Sequence, residues 1–184
     1  MACHFSFLGG SLSFSGMNAP LEPQTIVQKL EEVLKPEAPL ELIEQNTPVG
    51  IIIPAHQLGT TMEFLYQDAE LYFDQLACIT ALDLDKPSAF EVVYHLNSIP
   101  FGHQVAIHVP LEMGTEELMP EVDSVAHIWK TANWHEREAF DLVGIRFNNH
   151  PDLRRILLPQ DWEGYPLRKD YQEQEYYHGI KVAY

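Results

Sequence analysis

The chain has 184 residues, 46% hydrophobic and 21% charged, with 13 prolines and 10 glycines. That composition excludes collagen-like, repeat-array and wholly disordered classes and fits one domain with an appendage. Eleven lysines and arginines against 27 aspartates and glutamates give a formal charge of −16, an unfavourable field for binding nucleic acid or an anionic membrane. The imbalance is local: residues 1–129 hold three bases against 18 acids, whereas residues 130–184 hold eight against nine. The chain thus has an acidic body and a nearly neutral, arginine-rich C-terminal third.

Two cysteines, Cys3 and Cys78, are too few for a four-cysteine zinc site, an iron–sulfur cluster or a disulfide framework within one chain, so a reducing compartment is the default. No apolar run approaches the roughly 18 residues that a membrane span needs. The apolar, Gly- and Ser-rich start lacks a basic segment and makes a poor signal peptide. Residues 1–19 are expected to be a disordered leader, or Met17 to be the true start.

In chain order, Pro23 opens a predicted helix with Ile26, Val27, Leu30, Val33 and Leu34 on one face, ending before Pro36. Residues 40–43 and 49–53 read as a hairpin around Asn46, Thr47 and Pro48. A second helix from Pro54 carries Leu58, Met62 and Leu65 on a stripe, with Gly59 inside it. The apolar stretch 71–82 is assigned a short strand followed by a helical turn. Residues 90–96 and 105–109 read as two antiparallel strands. The body is therefore α+β: a small, mostly antiparallel sheet with helices on one face.

Beyond the body, two short helices are expected. Asp123 or Ser124 caps the first, which runs through Trp129. Asn133 caps the second, with Glu136 in capping-box register and Gly144 as the glycine that ends it. After Gly144 the periodicity is lost among Pro151, Pro159 and Pro166. The remainder is nevertheless too apolar and aromatic for a solvated tail (Ile156, Leu157, Trp162, Tyr165, Tyr171). It reads as an extended, irregular arm that orders against its own body or another chain. The resulting division is a leader at 1–19, a body at 20–112, a helical segment at 113–144 and an arm at 145–184.

Catalytic signatures are sparse. There is no phosphate-binding glycine loop, dinucleotide fingerprint or nucleophile elbow, and His135-Glu136 lacks the second histidine of a zincin helix. The densest polar group is Glu136, Arg137, Glu138 and Asp141. Glu138 and Asp141, three apart, share a helical face and repel by a few tenths of a kcal/mol. Arg137, four before Asp141, offsets part of this, and cations of the arm (Arg146, Arg154, Arg155, Arg168, Lys169) offset more. A structural ion-pair network is the favoured reading; an acid–base pair of Glu138 and Asp141 is the alternative. Arginine among acids and prolines suits carboxylate pairing in packed polar interfaces.

The string Asn133-Trp134-His135-Glu136-Arg137-Glu138-Ala139-Phe140-Asp141-Leu142-Val143-Gly144-Ile145, followed by His150-Pro151-Asp152-Leu153-Arg154-Arg155, Asp161-Trp162-Glu163-Gly164 and Pro166-Leu167-Arg168-Lys169-Asp170-Tyr171, resembles the 30 kDa subunit family of respiratory complex I, the bacterial NADH-quinone oxidoreductase. Tyr165 stands where the family commonly has histidine, and His135 where it commonly has an aromatic or leucine. The resemblance implies a non-redox structural subunit without catalytic, metal or cofactor-binding residues of its own. It would sit peripherally on the cytoplasmic face of the bacterial inner membrane, in an assembly that uses FMN, iron–sulfur clusters, NADH and quinone. The implied partners are the 49 kDa-like subunit and the subunit that carries the terminal iron–sulfur cluster. The implied interface and ion-pair residues are Glu136, Arg137, Glu138, Asp141, His150, Arg154, Arg155, Arg168, Lys169, Asp170 and Tyr171. Homologous chains in membrane-bound hydrogenases and related dehydrogenases leave a second assignment open.

Overall fold

The computed structural model describes residues 20–36, 38–84, 89–112 and 119–181. The expected leader, with Met17, lies outside the described residues, as does the boundary expected at residue 113.

Helix α1 (Pro23–Leu34) starts on its proline and turns Ile26, Val27 and Leu30 into the core, as its apolar period requires; Leu34 is partly buried against that core, while Val33, expected on the same face, is exposed near the helix end. It stops where Lys35 enters the left-handed region and Pro36 follows. Strands β1 (Leu42–Ile43) and β2 (Gly50–Ile52) form the expected antiparallel hairpin. A short 3-10 turn (Ala55–Gln57) leads into α2 (Leu58–Gln67), whose Leu58, Thr61, Met62 and Leu65 are buried.

Strands β3 (Gln75–Asp83), β4 (Ala89–Asn97) and β5 (Gln104–Glu112) complete a five-stranded sheet of order β1-β2-β5-β4-β3. Within this sheet only the β2–β5 pairing is parallel, so the fold is α+β with a mostly antiparallel sheet. Register places Ile51, Ile107, Tyr94 and Ile79 in one row across four strands. That row shares one core with Ile26 and Leu30 of α1 and Met62 and Leu65 of α2. The opposite face carries polar pairs, with His108 Nδ1 at 2.7 Å from Glu91 and Cys78 Sγ at 3.4 Å from His95.

Three expectations are corrected. Residues 75–83 form one continuous strand, not a strand and a helical turn. The register with β4 shifts between Leu76 and Cys78, so Leu76 and Ile79, three apart, both face the core. A bulge thereby imitates a helical period in the sequence. Next, the helix expected through Trp129 is a single turn in which Ile128 and Trp129 donate to the Val125 carbonyl. Asp123 belongs instead to strand β6 (Glu121–Asp123), parallel to β7 (Arg146–Asn148), and Trp129 is held by its indole N–H on the Phe73 carbonyl at 3.1 Å.

Finally, α3 (Ala132–Val143) begins before Asn133, and no side chain caps its start. Glu136 forms no capping box because its carboxylate is turned into the body. The end of α3 is as expected: Gly144 lies at φ +75° and its N–H returns to Ala139 and Phe140. Beyond β7 the arm is irregular except for a small hairpin of β8 (Tyr176–Tyr177) and β9 (Ile180–Lys181). Ile107 is fully buried on β5, the middle strand of the sheet, so its truncation leaves a cavity in the core. Ile107→Ala is expected to lower stability by about 2–5 kcal/mol in urea denaturation.

Candidate interaction site at the helix and arm junction

Asp141 is the hub of this junction. Its side chain is fully buried, and Oδ2 accepts from three successive backbone N–H groups of the arm: Ile156 at 2.9 Å, Leu157 at 2.7 Å and Leu158 at 3.0 Å. Oδ1 accepts from Arg155 at 2.8 Å. Arg155 directs its other donors to the carbonyls of Asp141, Trp162 and Gly164. Convergent backbone N–H groups make a concave anion site, here filled by the protein's own carboxylate. Burial opposes the Asp141 charge, but the three N–H groups and Arg155 outweigh it and hold its carboxyl below the usual range.

Arg168 closes the C-terminal end of α3. It donates to the carbonyls of Val143 at 2.6 Å and Gly144 at 3.0 Å, where a cation also meets the negative end of the helix dipole. Its guanidinium lies 5.1 Å from the centre of the Phe90 ring and 4.7 Å from that of Tyr165, with Arg155 5.2 Å from the same tyrosine. Tyr165 therefore bridges both arginines through cation–π contact. A Cβ at Gly144 would lie 2.7 Å from the Tyr165 ring and 2.8 Å from Arg168.

The other residues singled out from sequence are distributed around this core. Arg137 is buried, donates to the Arg154 carbonyl at 3.2 Å and stacks 5.0 Å from the Trp134 ring centre. The expected pairing of Arg137 with Asp141 is replaced by Arg155, because Asp141 points inward while Arg137 reaches toward residue 154. Arg154 lies outside, on Asp152 at 2.9 Å. Glu138 is exposed beside a shallow groove with His135, Leu142 and Leu167, so Glu138 and Asp141 do not meet as an acid–base pair. Lys169 donates its backbone N–H to Asp83 at 2.9 Å, Asp170 is exposed, and Tyr171 packs over Gly164.

Glu136 and His150 form a separate buried pair. Glu136 accepts from the Ser124 hydroxyl at 2.6 Å and the Val125 N–H at 2.7 Å, with His150 Nε2 at 3.8 Å. Burial is the dominant effect and, against those two hydrogen bonds, pushes the Glu136 carboxyl up to about 7. Sequence reasoning missed the contact of Ser124 with Glu136 and that of Tyr165 with Gly144 and Arg155, since each joins residues ten or more positions apart.

Residues 51–177, which contain the whole Asp141 junction, match the family described as respiratory-chain NADH dehydrogenase, 30 Kd subunit. The chain belongs to this family. An NADH-quinone oxidoreductase subunit of Chlorobium phaeobacteroides is 48% identical over 141 residues, covering 76% of this chain and 82% of that protein. The protein of the same description from a Roseiflexus species is 39% identical over 151 residues, covering 82% and 84%. Among solved structures, a chain of an archaeal respiratory membrane complex, the membrane-bound sulfane sulfur reductase, aligns with TM-score 0.62 at 20% identity over 79% of this chain and 84% of its own; this is likeness of fold. Among the described residues no helix is long and apolar enough to cross a membrane, and no three His, Cys, Asp or Glu side chains are placed to hold a metal ion.

Asp141→Asn strands Arg155 without its counter-charge and is expected to cost about 3–5 kcal/mol in denaturant unfolding. Asp141 is depressed below its ordinary 3.8, so its contribution is present above pH 3.8 and is lost as pH falls through the folded value; the variant should lack that acid limb. Gly144→Ala meets both the left-handed backbone and the Tyr165–Arg168 wall, and is expected to lower stability in denaturant unfolding by more than the roughly 1–2 kcal/mol that the left-handed backbone alone costs a residue with a Cβ.

Proposed function

We propose that this chain is a non-redox structural subunit of the peripheral part of a NADH:quinone oxidoreductase, with no activity of its own. In this reading it packs against the 49 kDa-like subunit and the terminal iron–sulfur subunit on the cytoplasmic face of the membrane. FMN, iron–sulfur clusters, NADH and quinone are handled by other chains of the assembly. The observation that carries the reading is the family match over residues 51–177, which takes in the whole helix and arm junction.

The surface of that junction supports a contact role. Asp141, Arg155 and Arg168 use their polar groups inward, leaving Trp134 63%, Leu157 60% and Leu167 61% exposed around α3. Large apolar side chains displayed on a rigidly held arm are the composition of an interface core, and Arg154 and Glu138 supply a polar rim. The proposed interface residues are those of the junction: Glu136, Arg137, Glu138, Asp141, His150, Arg154, Arg155, Arg168, Lys169, Asp170 and Tyr171. The inward ones shape the surface and the outward ones touch the partner.

Affinity capture of the tagged chain from its own membranes in mild detergent, with mass spectrometry, tests this. Recovery of NADH-oxidising and iron–sulfur subunits is expected. Hydrogenase subunits would reassign the chain to the homologous complexes, and a chain that comes through alone would overturn the reading. Leu157→Asp and Leu167→Asp should reduce partner recovery about tenfold or more, as loss of a central apolar contact does, while leaving the melting temperature of the chain unchanged.

A further inference from the structure

Helix α3 buries two carboxylates about one and a half turns apart and provides for them in opposite ways. Asp141 has a guanidinium and three backbone N–H groups. Glu136, whose side chain is equally inaccessible, has among the described residues only the Ser124 hydroxyl and the Val125 N–H as hydrogen-bond donors. His150, 3.8 Å away, does not supply a positive charge. Its Nδ1 accepts the Asp152 N–H at 3.0 Å and its Nε2 lies 3.1 Å from the Asn133 carbonyl. This pair of contacts requires a neutral imidazole with its proton on Nε2. A second proton on Nδ1 would face the Asp152 N–H, donor against donor.

The other groups around Glu136 add no positive charge. Arg137, next to it on α3, is committed to the Arg154 carbonyl, the Trp134 ring and Asp152 at 4.0 Å. Tyr94 of β4 is fully buried, and its hydroxyl has no hydrogen-bond partner among the described residues. Burial, and after it the charges of Glu136 and of Asp123 on β6, disfavour ionisation of Tyr94, which stays neutral. A carboxylate buried beside a neutral histidine, with two hydrogen bonds and no cation paired to it among the described residues, is favoured in its protonated form.

We propose that Glu136 is a proton-binding site at the seam between the body and the arm, and that release of its proton to solvent loosens the packing of α3 against the Ser124 loop and His150. With the proton on Oε2, the 2.6 Å contact to Ser124 reverses, and the carboxylic acid donates to Ser124 Oγ. When the proton leaves, a bare charge remains in the interior on two hydrogen bonds, and the segments around it open more readily. The carboxyl titrates near 7, above its ordinary 4.5, so the folded state binds the proton more tightly than the opened one. The seam is therefore most stable below pH 4.5 and weakens as pH rises to about 7, the reverse of the dependence set by Asp141. None of this depends on the assignment to a respiratory assembly.

Hydrogen exchange of the full-length chain, corrected for intrinsic rates, tests it at the amides of Ser124, Val125, Ala126, His150 and Asp152. Protection there is expected to fall about tenfold or more between roughly pH 5.5 and 8, and to become independent of pH in Glu136→Gln. Persistence of the pH dependence in that variant would overturn the proposal, as would flat protection in the unmodified chain. His150→Asn should retain the dependence; its loss there would make His150 the titrating group and overturn the proposal too. Should Glu136→Gln fail to fold, the infrared band of a protonated carboxyl in the unmodified chain, assigned by isotope-labelled glutamate, must disappear across the same range. Its absence at the acid end would overturn the inference.

Discussion

One carboxylate organises the C-terminal third of this protein. A chain of about 35 residues without regular periodicity has little internal means of offsetting its ordering entropy. Asp141 solves that for the segment that matters most by accepting three consecutive backbone N–H groups and Arg155, so that the arm's own unpaired donors become its anchor. Everything further along depends on this. Arg155 reaches the carbonyls of Trp162 and Gly164 and so folds the next stretch back, which brings Tyr165 and Arg168 over the end of α3.

The same helix contains the opposite electrostatic solution. Placing Asp141 against the arm turns the preceding part of α3 so that Glu136 points into the body, beneath the Ser124 loop. Burial costs a charge several kcal/mol unless a partner compensates it. At Asp141 the compensation is complete, and at Glu136 it is partial, so the two acids respond to pH in contrary senses. A helix carrying Glu136, Arg137, Glu138 and Asp141 looks uniformly polar, yet its four charged side chains occupy three different environments: buried and paired, buried and weakly supported, and exposed.

The outward consequence is a surface of unusual composition for so acidic a chain. Because Arg137, Arg155 and Arg168 are consumed by carbonyls, rings and Asp141, and the exposed Arg154 is paired with Asp152, the junction presents Trp134, Leu157 and Leu167 instead of a basic patch. Apolar side chains mounted on a braced arm lose little entropy when covered, which favours a specific contact over a diffuse electrostatic one.

Much of this was legible in the residues. The apolar period of α1, the hairpin turn, the alternation in β4 and β5 and the terminating role of Gly144 are local properties, and the structure keeps them. The motifs from Asn133 to Tyr171 carried the family, because their order and spacing survive without any knowledge of contacts. What sequence misread was decided at a distance. The bulge in β3 exists because β4 pairs alongside it, Asp123 joins a strand because β7 returns to it, and Glu136 abandons a cap because Ser124 and Val125 take its carboxylate. The residues alone were enough for the class of fold, the family and the arm's need of a surface to order against. That Asp141 supplies that surface and that Glu138 stands apart from it emerges on folding, since helical spacing says which residues are neighbours on a cylinder but not which side of the cylinder the rest of the chain covers.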